Sequence, residues 1–175
     1  MRDIAIDSDI GRRLRDARSV AVLTGAGVSA ESGVPTFRDA LTGMWAKFDP
    51  RELATPSAFA RNPRRVWDWY ASRRAQLCDV APNPGHFAIA RIEAQVPAFL
   101  LATQNVDGLH ARAGSRKLVE LHGNIARVRC SRDGRVHDEW DETELPPRCV
   151  ACGAFLRPDV VWFEEMLPAD ALARA

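Results

Sequence analysis

Three short apolar runs each end in a cluster of polar or glycine residues, and this constrains the chain more than anything else in it. Ser19–Thr24 (SVAVLT) runs into Gly25-Ala26-Gly27. Ala98–Thr103 (AFLLAT) runs into Gln104-Asn105-Val106-Asp107-Gly108, and Lys117–Leu121 into His122-Gly123-Asn124. Runs this short and continuous predict strands buried on both faces, the habit of parallel sheets. Ligands of open parallel sheets sit at the C-terminal ends of the strands, so one cleft is expected where the three clusters meet. Helix signals lie between them. Thr55-Pro56, Asn62-Pro63 and Asn83-Pro84 each set a capping residue before a proline at the first helical position. They predict a helix over Asn62–Leu77, with Val66, Trp67, Tyr70 and Leu77 available to pack, and another over Pro84–Ala94. An opening helix would carry Ile10, Leu14 and Ala17 on one stripe. With 175 residues the chain has the size of one α/β domain.

The stretch 126–148 is different. It mixes Arg127, Arg129, Arg132, Arg135 and Arg148 with Asp133, Asp138, Glu139, Asp141, Glu142 and Glu144, and has few large apolar residues. Such a segment cannot build a core alone. Cys130, Cys149 and Cys152 fall in or beside it, while Cys78 stands apart. In a reducing compartment, a Cys-x-x-Cys close to a third cysteine reads as a metal site, and a metal staple would hold the segment. Pro158–Phe163 (PDVVWF) is the last apolar run and is expected to return to the main sheet. Lys plus Arg number 24 against 23 Asp plus Glu, a net charge of +1, which offers no electrostatic footprint for nucleic acid or an anionic membrane. No run is long enough to span a bilayer, and residues 1–20 lack a signal-peptide core. A cytoplasmic protein is the expectation.

Taken alone, Gly25-x-Gly27 lacks the third glycine of a dinucleotide fingerprint and the lysine of a P-loop. A diphosphate-binding turn and an ordinary tight βα turn both fit it. The longer string Gly25-Ala26-Gly27-Val28-Ser29-Ala30-Glu31-Ser32-Gly33-Val34-Pro35-Thr36-Phe37-Arg38-Asp39 closely resembles the signature of the sirtuin family, the NAD-dependent protein deacylases. Thr103-Gln104-Asn105-Val106-Asp107-Gly108-Leu109-His110, Leu121-His122-Gly123-Asn124 and Val160-Val161-Trp162-Phe163 resemble three further family motifs, in family order.

The resemblance implies a Rossmann-like parallel sheet with a small zinc-ribbon-like module inserted. Residues 1–125 would form the NAD-binding region, with a helical acyl-pocket segment at about 56–80. Residues 126–157 would form the zinc module, and 158–175 would return to the Rossmann-like domain. NAD and an acylated lysine of a protein substrate would meet in the cleft. By motif position Gly25, Ala26, Gly27, Ser29, Glu31, Thr36, Phe37, Arg38, Trp45, Gln104, Asn105, Val106 and Asp107 would contact NAD. His122 would be the general base, with Asn105 and Asp107 beside it. Val161, Trp162 and Phe163 would bind substrate. In the family the acyl oxygen attacks a ribose carbon as nicotinamide leaves, and a base then takes a ribose hydroxyl proton. A histidine titrating near neutrality suits that task.

Tyr70 and Arg73 are three apart and share a helical face. The pair resembles the acyl pocket of the sirtuin subgroup that removes malonyl, succinyl and glutaryl groups. Such groups end in a carboxylate that an arginine meets bidentately and a tyrosine can hydrogen-bond. Sirtuin zinc sites usually use two Cys-x-x-Cys pairs. Here Cys149-x-x-Cys152 is one, but Cys130 is followed by Asp133 where a second thiolate is expected, which leaves Asp133 and His137 as candidates for a fourth ligand of a structural zinc. Two further departures follow from the resemblance. Glu164 stands in Phe163-Glu164-Glu165 where the family has Phe-Gly-Glu. The family also continues past this point into a Gly-Thr-Ser strand end, so the chain is expected to be C-terminally truncated relative to it, with an incomplete sheet. The expected function is deacylation of protein lysines by what would be a monomer if complete. The alternative is an inactive fragment that binds only a nucleotide or a partner.

Overall fold

The structure is a computed structural model describing residues 8–35 and 50–175. The three apolar runs lie side by side as β1 (Ser19–Thr24), β2 (Ala98–Thr103) and β3 (Leu118–Glu120), in the order β1-β2-β3, all parallel. Thr24 pairs with Thr103 and Thr103 with Glu120, so the three strands finish level. The third strand is one residue shorter at each end than its apolar run. Ladder bonds still reach both ends of that run, from Leu101 N to the Lys117 carbonyl and from Leu121 N to the Thr103 carbonyl, each 2.9 Å.

The capping signals hold at side-chain level. Thr55 Oγ1 accepts from Ala58 N (3.0 Å) at the start of α2, once α1 is taken as Ser8–Asp16 and α2 as Pro56–Arg61. Asn62 Oδ1 accepts from Arg65 N (3.0 Å) to open α3 (Pro63–Cys78), and Asn83 Oδ1 from Gly85 N (2.9 Å) to open α4 (Pro84–Gln95). Caps of this kind are worth about 1 kcal/mol each. Two short helices, α5 (Leu109–Arg112) and α6 (Ala169–Arg174), complete the set among the described residues. The stripe on α1 is not a core face: no residue of that helix is buried, and Ile10 is 60% exposed. Nor does an α-helix follow the glycine turn directly. Ala26–Ser32 is a 3-10 helix, ended by Gly33 at φ +85°.

A second, antiparallel sheet has the order β5-β4-β6, with β4 Gly123–Cys130, β5 Val136–His137 and β6 Leu156–Val160. This corrects the expectation that the run beginning at Pro158 rejoins the main sheet. Gly123 pairs with Val160 and Asn124 with Asp159, so the run closes the second sheet. The physical reason lies in one charge just before the run and one inside it. Arg157 and Asp159 are buried, and each finds its counter-charge locally: Arg157 meets Glu165, and Asp159 meets Arg127 and Arg129 of β4. The chain rejoins the parallel sheet through α6, whose Ala171 packs on Ala102, Val119 and Leu121. The second sheet also starts at Gly123, before residue 126. Gly123 has φ +79°, and a Cβ there would lie 2.1 Å from the Asp159 carbonyl oxygen. Only glycine lets β4 run against β6 directly after His122.

Helix α3 separates two cores. Val66 and Tyr70 join Phe59, Ile125, Val160 and Trp162, while Trp67 joins Val128, Cys130, Cys149 and Leu156.

Candidate active site

Level strand ends bring the polar clusters into one network. Thr24 Oγ1 donates to Thr103 Oγ1 at 2.8 Å, and the Asn105 backbone N–H donates to the same oxygen at 3.1 Å. Ser29, wholly buried, donates to Asp107 Oδ2 (2.7 Å) and accepts from Asn105 Nδ2 (3.0 Å). Asp107 Oδ1 accepts from Leu109 N at 2.9 Å. The glycine turn and the Gln104–Asp107 segment are therefore locked together through one hydroxyl.

Two histidines that the sequence reading did not single out stand behind this network. Asn83 N donates to His86 Nδ1 (3.2 Å), closing the capping box of α4, so the ring proton sits on Nε2 and faces Ser29 Oγ at 3.4 Å. His110 Nε2 donates to Thr24 Oγ1 at 2.9 Å. The two rings lie 4.8 Å apart between centroids. Burial lowers the pKa of both, with the Asp107 charge pulling the other way. The signal for His86 was present in the sequence, as the third residue after the Asn83 cap. Nothing local marked His110 or Thr24.

A groove of about 430 Å³ runs along this network, within the range of small-molecule sites, and Ala26, Ser29, Gln104, Asn105, Val106, Asp107 and Arg73 line it. Among the described residues, a Cβ at Gly25 or Gly27 would meet no atom within 4 Å. Glu31 is exposed, while Thr36, Phe37, Arg38 and Trp45 lie outside the described residues. His122 is half-exposed. Its Nδ1–H donates to the Gln104 carbonyl at 2.9 Å, which leaves Nε2 to accept a proton. Its own carbonyl accepts from Val161 N at 2.9 Å.

The substrate-side residues divide. Arg73 lines the groove with its guanidinium 4.4 Å over the Trp69 ring. Tyr70 is only 4% exposed, and its phenol oxygen accepts from Trp162 Nε1 at 3.0 Å. Burial pushes its pKa up to about 12. Trp162 is buried as well, while Phe163 is exposed. Sequence reading missed what holds Trp162. Arg157 lies 3.4 Å from its ring centroid and meets Glu165 through two bonds of 2.6 and 2.9 Å. Glu165 also accepts from Trp162 N at 2.8 Å. Burial acts to raise the Glu165 pKa, but Arg157 and this N–H outweigh it and hold the carboxyl below its usual range.

The cysteine cluster lies apart, in the second core. The sulfurs of Cys130, Cys149 and Cys152 all fall within 4.8 Å of one another, with Cys130 and Cys152 at 3.5 Å. Three soft thiol donors so grouped fit a tetrahedral zinc site.

The model of the Sir2 family matches residues 25–175. This chain belongs to the Sir2 family. A relative described as an NAD-dependent protein deacylase of Aquifex aeolicus is 55% identical over 159 residues, covering 90% of this chain and 66% of the relative. Another of the same description, from Ralstonia nicotianae, is 54% identical over 99% of this chain and 70% of its own length. Among solved structures, a Sir2 homologue in complex with NAD superposes with a TM-score of 0.87 at 44% identity, covering 97% of this chain and 67% of that one. A Sir2 protein bound to an acetylated peptide gives 0.79 at 30% identity, covering 94% and 67%. The chain thus spans about two thirds of the length of the relatives it matches. In this Sir2-family chain the α/β fold, with its parallel sheet and cysteine-bearing antiparallel sheet, is the family's. No helix among the described residues is long and apolar enough to cross a membrane.

Proposed function

We propose that this chain carries the catalytic cleft of an NAD-dependent protein-lysine deacylase that favours acyl groups ending in a carboxylate. The observation that carries the reading is Arg73. Arg73 lines the same groove as Asn105 and Asp107, and the Gln104 carbonyl beside them holds His122 in the tautomer with a free Nε2.

Bound NAD would supply the ribose that accepts the acyl group as nicotinamide departs, and one water would be consumed in releasing O-acyl-ADP-ribose and free lysine. With no side chain at Gly25 or Gly27, the turn would let backbone approach a diphosphate, and Ala26, Ser29, Glu31, Gln104 and Val106 would complete the nucleotide contacts. Asn105 and Asp107, fixed through Ser29, would hold the ribose and carboxamide in one orientation. His122 Nε2 would take the ribose hydroxyl proton. Val161 and Phe163 would flank the substrate backbone. Arg73 would pair with a succinyl, malonyl or glutaryl carboxylate. Because Trp162 donates to the Tyr70 oxygen, the phenol proton is left for the same carboxylate. An acetyl group uses neither contact.

The test is nicotinamide release from acetyl- and succinyl-lysine peptides of identical sequence, with wild type and Arg73→Met. A charge partner in a desolvated pocket is worth about 2–5 kcal/mol on truncation, so kcat/KM for the succinyl peptide should fall at least roughly thirtyfold. Deacetylation should change far less, and Tyr70→Phe should give a smaller loss in the same direction. Equal losses on both peptides would overturn the acidic-acyl preference. Absence of release from either peptide by the wild-type chain would favour a module that binds a nucleotide or partner without turnover.

A further inference from the structure

We infer that His137 is the fourth ligand of a zinc ion held by Cys130, Cys149 and Cys152, and that Asp133, at the position of the expected fourth cysteine, stays outside the coordination shell. The His137 Nε2 atom lies 3.9 Å from Cys149 Sγ. Around a tetrahedral zinc with bonds of about 2.3 Å to sulfur and 2.0 Å to nitrogen, two sulfurs stand about 3.8 Å apart and a sulfur and a nitrogen about 3.5 Å. The Cys130–Cys152 edge, at 3.5 Å, and the Cys149–His137 edge, at 3.9 Å, each come within about 0.4 Å of those lengths. The three sulfurs form a group within 4.8 Å that does not yet include His137, so the imidazole has to swing toward Cys130 and Cys152 to close the shell.

Strand register explains why a histidine far along the sequence arrives there. His137 pairs with Val128, and Val128 and Cys130 point to the same face of β4. His137 therefore faces the side on which Cys130, Cys149, Leu156 and Trp67 pack, and it is half-buried there. Asp133 is exposed. It accepts a hydrogen bond from the Cys130 thiol, and its Oδ1 already accepts from Arg135 N at 2.9 Å. That bond tightens the turn between β4 and β5, which is the part the aspartate plays. The Arg132 backbone N–H, 3.4 Å from Cys130 Sγ, supports a thiolate at the same turn.

Charge favours the same donor. Three thiolates and a neutral imidazole around Zn²⁺ carry a net −1, whereas three thiolates and a carboxylate carry −2. The cluster is packed among Trp67, Val128 and Leu156, where a smaller net charge costs less to bury. The ion would be structural, joining the β4–β5 turn to the Cys149–Cys152 turn.

The 175-residue chain, loaded with zinc and freed of excess metal, tests this directly. X-ray absorption on wild type should show three sulfur neighbours near 2.3 Å and one nitrogen near 2.0 Å with the outer-shell pattern of imidazole. In competition with a chromophoric chelator, His137→Ala should weaken zinc binding at least tenfold, roughly the loss that even an outer-shell partner can cause. Asp133→Asn should stay within about threefold of wild type, and His137→Cys should keep tight binding. A shell of three sulfurs and a carboxylate oxygen, or Asp133→Asn suffering the larger loss, overturns the assignment. Failure of the wild-type chain to bind zinc overturns it too.

Discussion

Glu164 has φ +73°, the single described non-glycine residue in the left-handed region. A side chain there costs about 1–2 kcal/mol. Glycine removes that strain but gives back about 0.5–1 kcal/mol through the freedom it regains in the unfolded chain. Glu164→Gly should therefore stabilise the fold by about 0.5–1 kcal/mol net, seen as a rise in the urea midpoint at unchanged slope. A fall in the midpoint would mean that the exposed glutamate makes a compensating contact. The identity of the residue at 164 was visible in the sequence as a departure from the family's glycine. Its backbone conformation was not, because φ depends on how the chain turns out of β6. Gly123 shows the opposite case, where the glycine is kept because the Asp159 carbonyl occupies the place of a side chain.

The segment from β6 through Glu165 is held as one element by charge. Arg157 bonds Glu165 twice and the Val160 carbonyl once at 2.7 Å, while covering Trp162, which in turn donates to Tyr70. Removing one partner of a buried ion pair typically costs about 3–5 kcal/mol, because the other charge is left without compensation. Glu165 keeps 23% side-chain exposure, so Arg157→Met should lie at the low end, about 3 kcal/mol, read by chemical denaturation with Trp fluorescence. Its acid dependence has a defined sign. The folded pKa of Glu165 is depressed, so its contribution is full above the unfolded value of about 4.3 and is lost as pH falls through the folded pKa. A loss below 1 kcal/mol in Arg157→Met would show that the clamp is solvated. The sequence reading took this element as an apolar run because Val160, Val161, Trp162 and Phe163 dominate it, and so it missed that Asp159, paired with Arg127 and Arg129 of β4, ties it to the antiparallel sheet.

Across the whole molecule, the paired histidines behind the cleft tie stability to pH near neutrality. His86 and His110 are buried as neutral rings, with folded pKa values below the ordinary 6.5. The unfolded chain binds the extra protons first, so their contribution is complete above about pH 6.5 and is lost as pH falls through the lower folded values. The Tm should drop between pH 7.5 and 5.5, and His110→Gln should flatten that drop. The same slope in wild type and variant would place the titration elsewhere. His86 bridges the α4 cap to Ser29, and His110 reaches β1, so protonation would strain the cleft and the sheet together.

From its sequence alone this protein's three parallel strands, capped helices and family were determined, because apolar runs, Asn-Pro and Thr-Pro caps and contiguous motifs are local signals that survive without a fold. That Asn105, Asp107 and His122 each sit just past a strand was legible for the same reason. The tertiary structure decided the rest: that Ser29 joins two motifs through one hydroxyl, that Tyr70 lies under Trp162 while Arg73 faces the groove, and that His137 reaches Cys149. It also decided that the last strand closes the second sheet. These depend on contacts between residues distant in sequence, whose partners are chosen by register and by the need to satisfy buried charge.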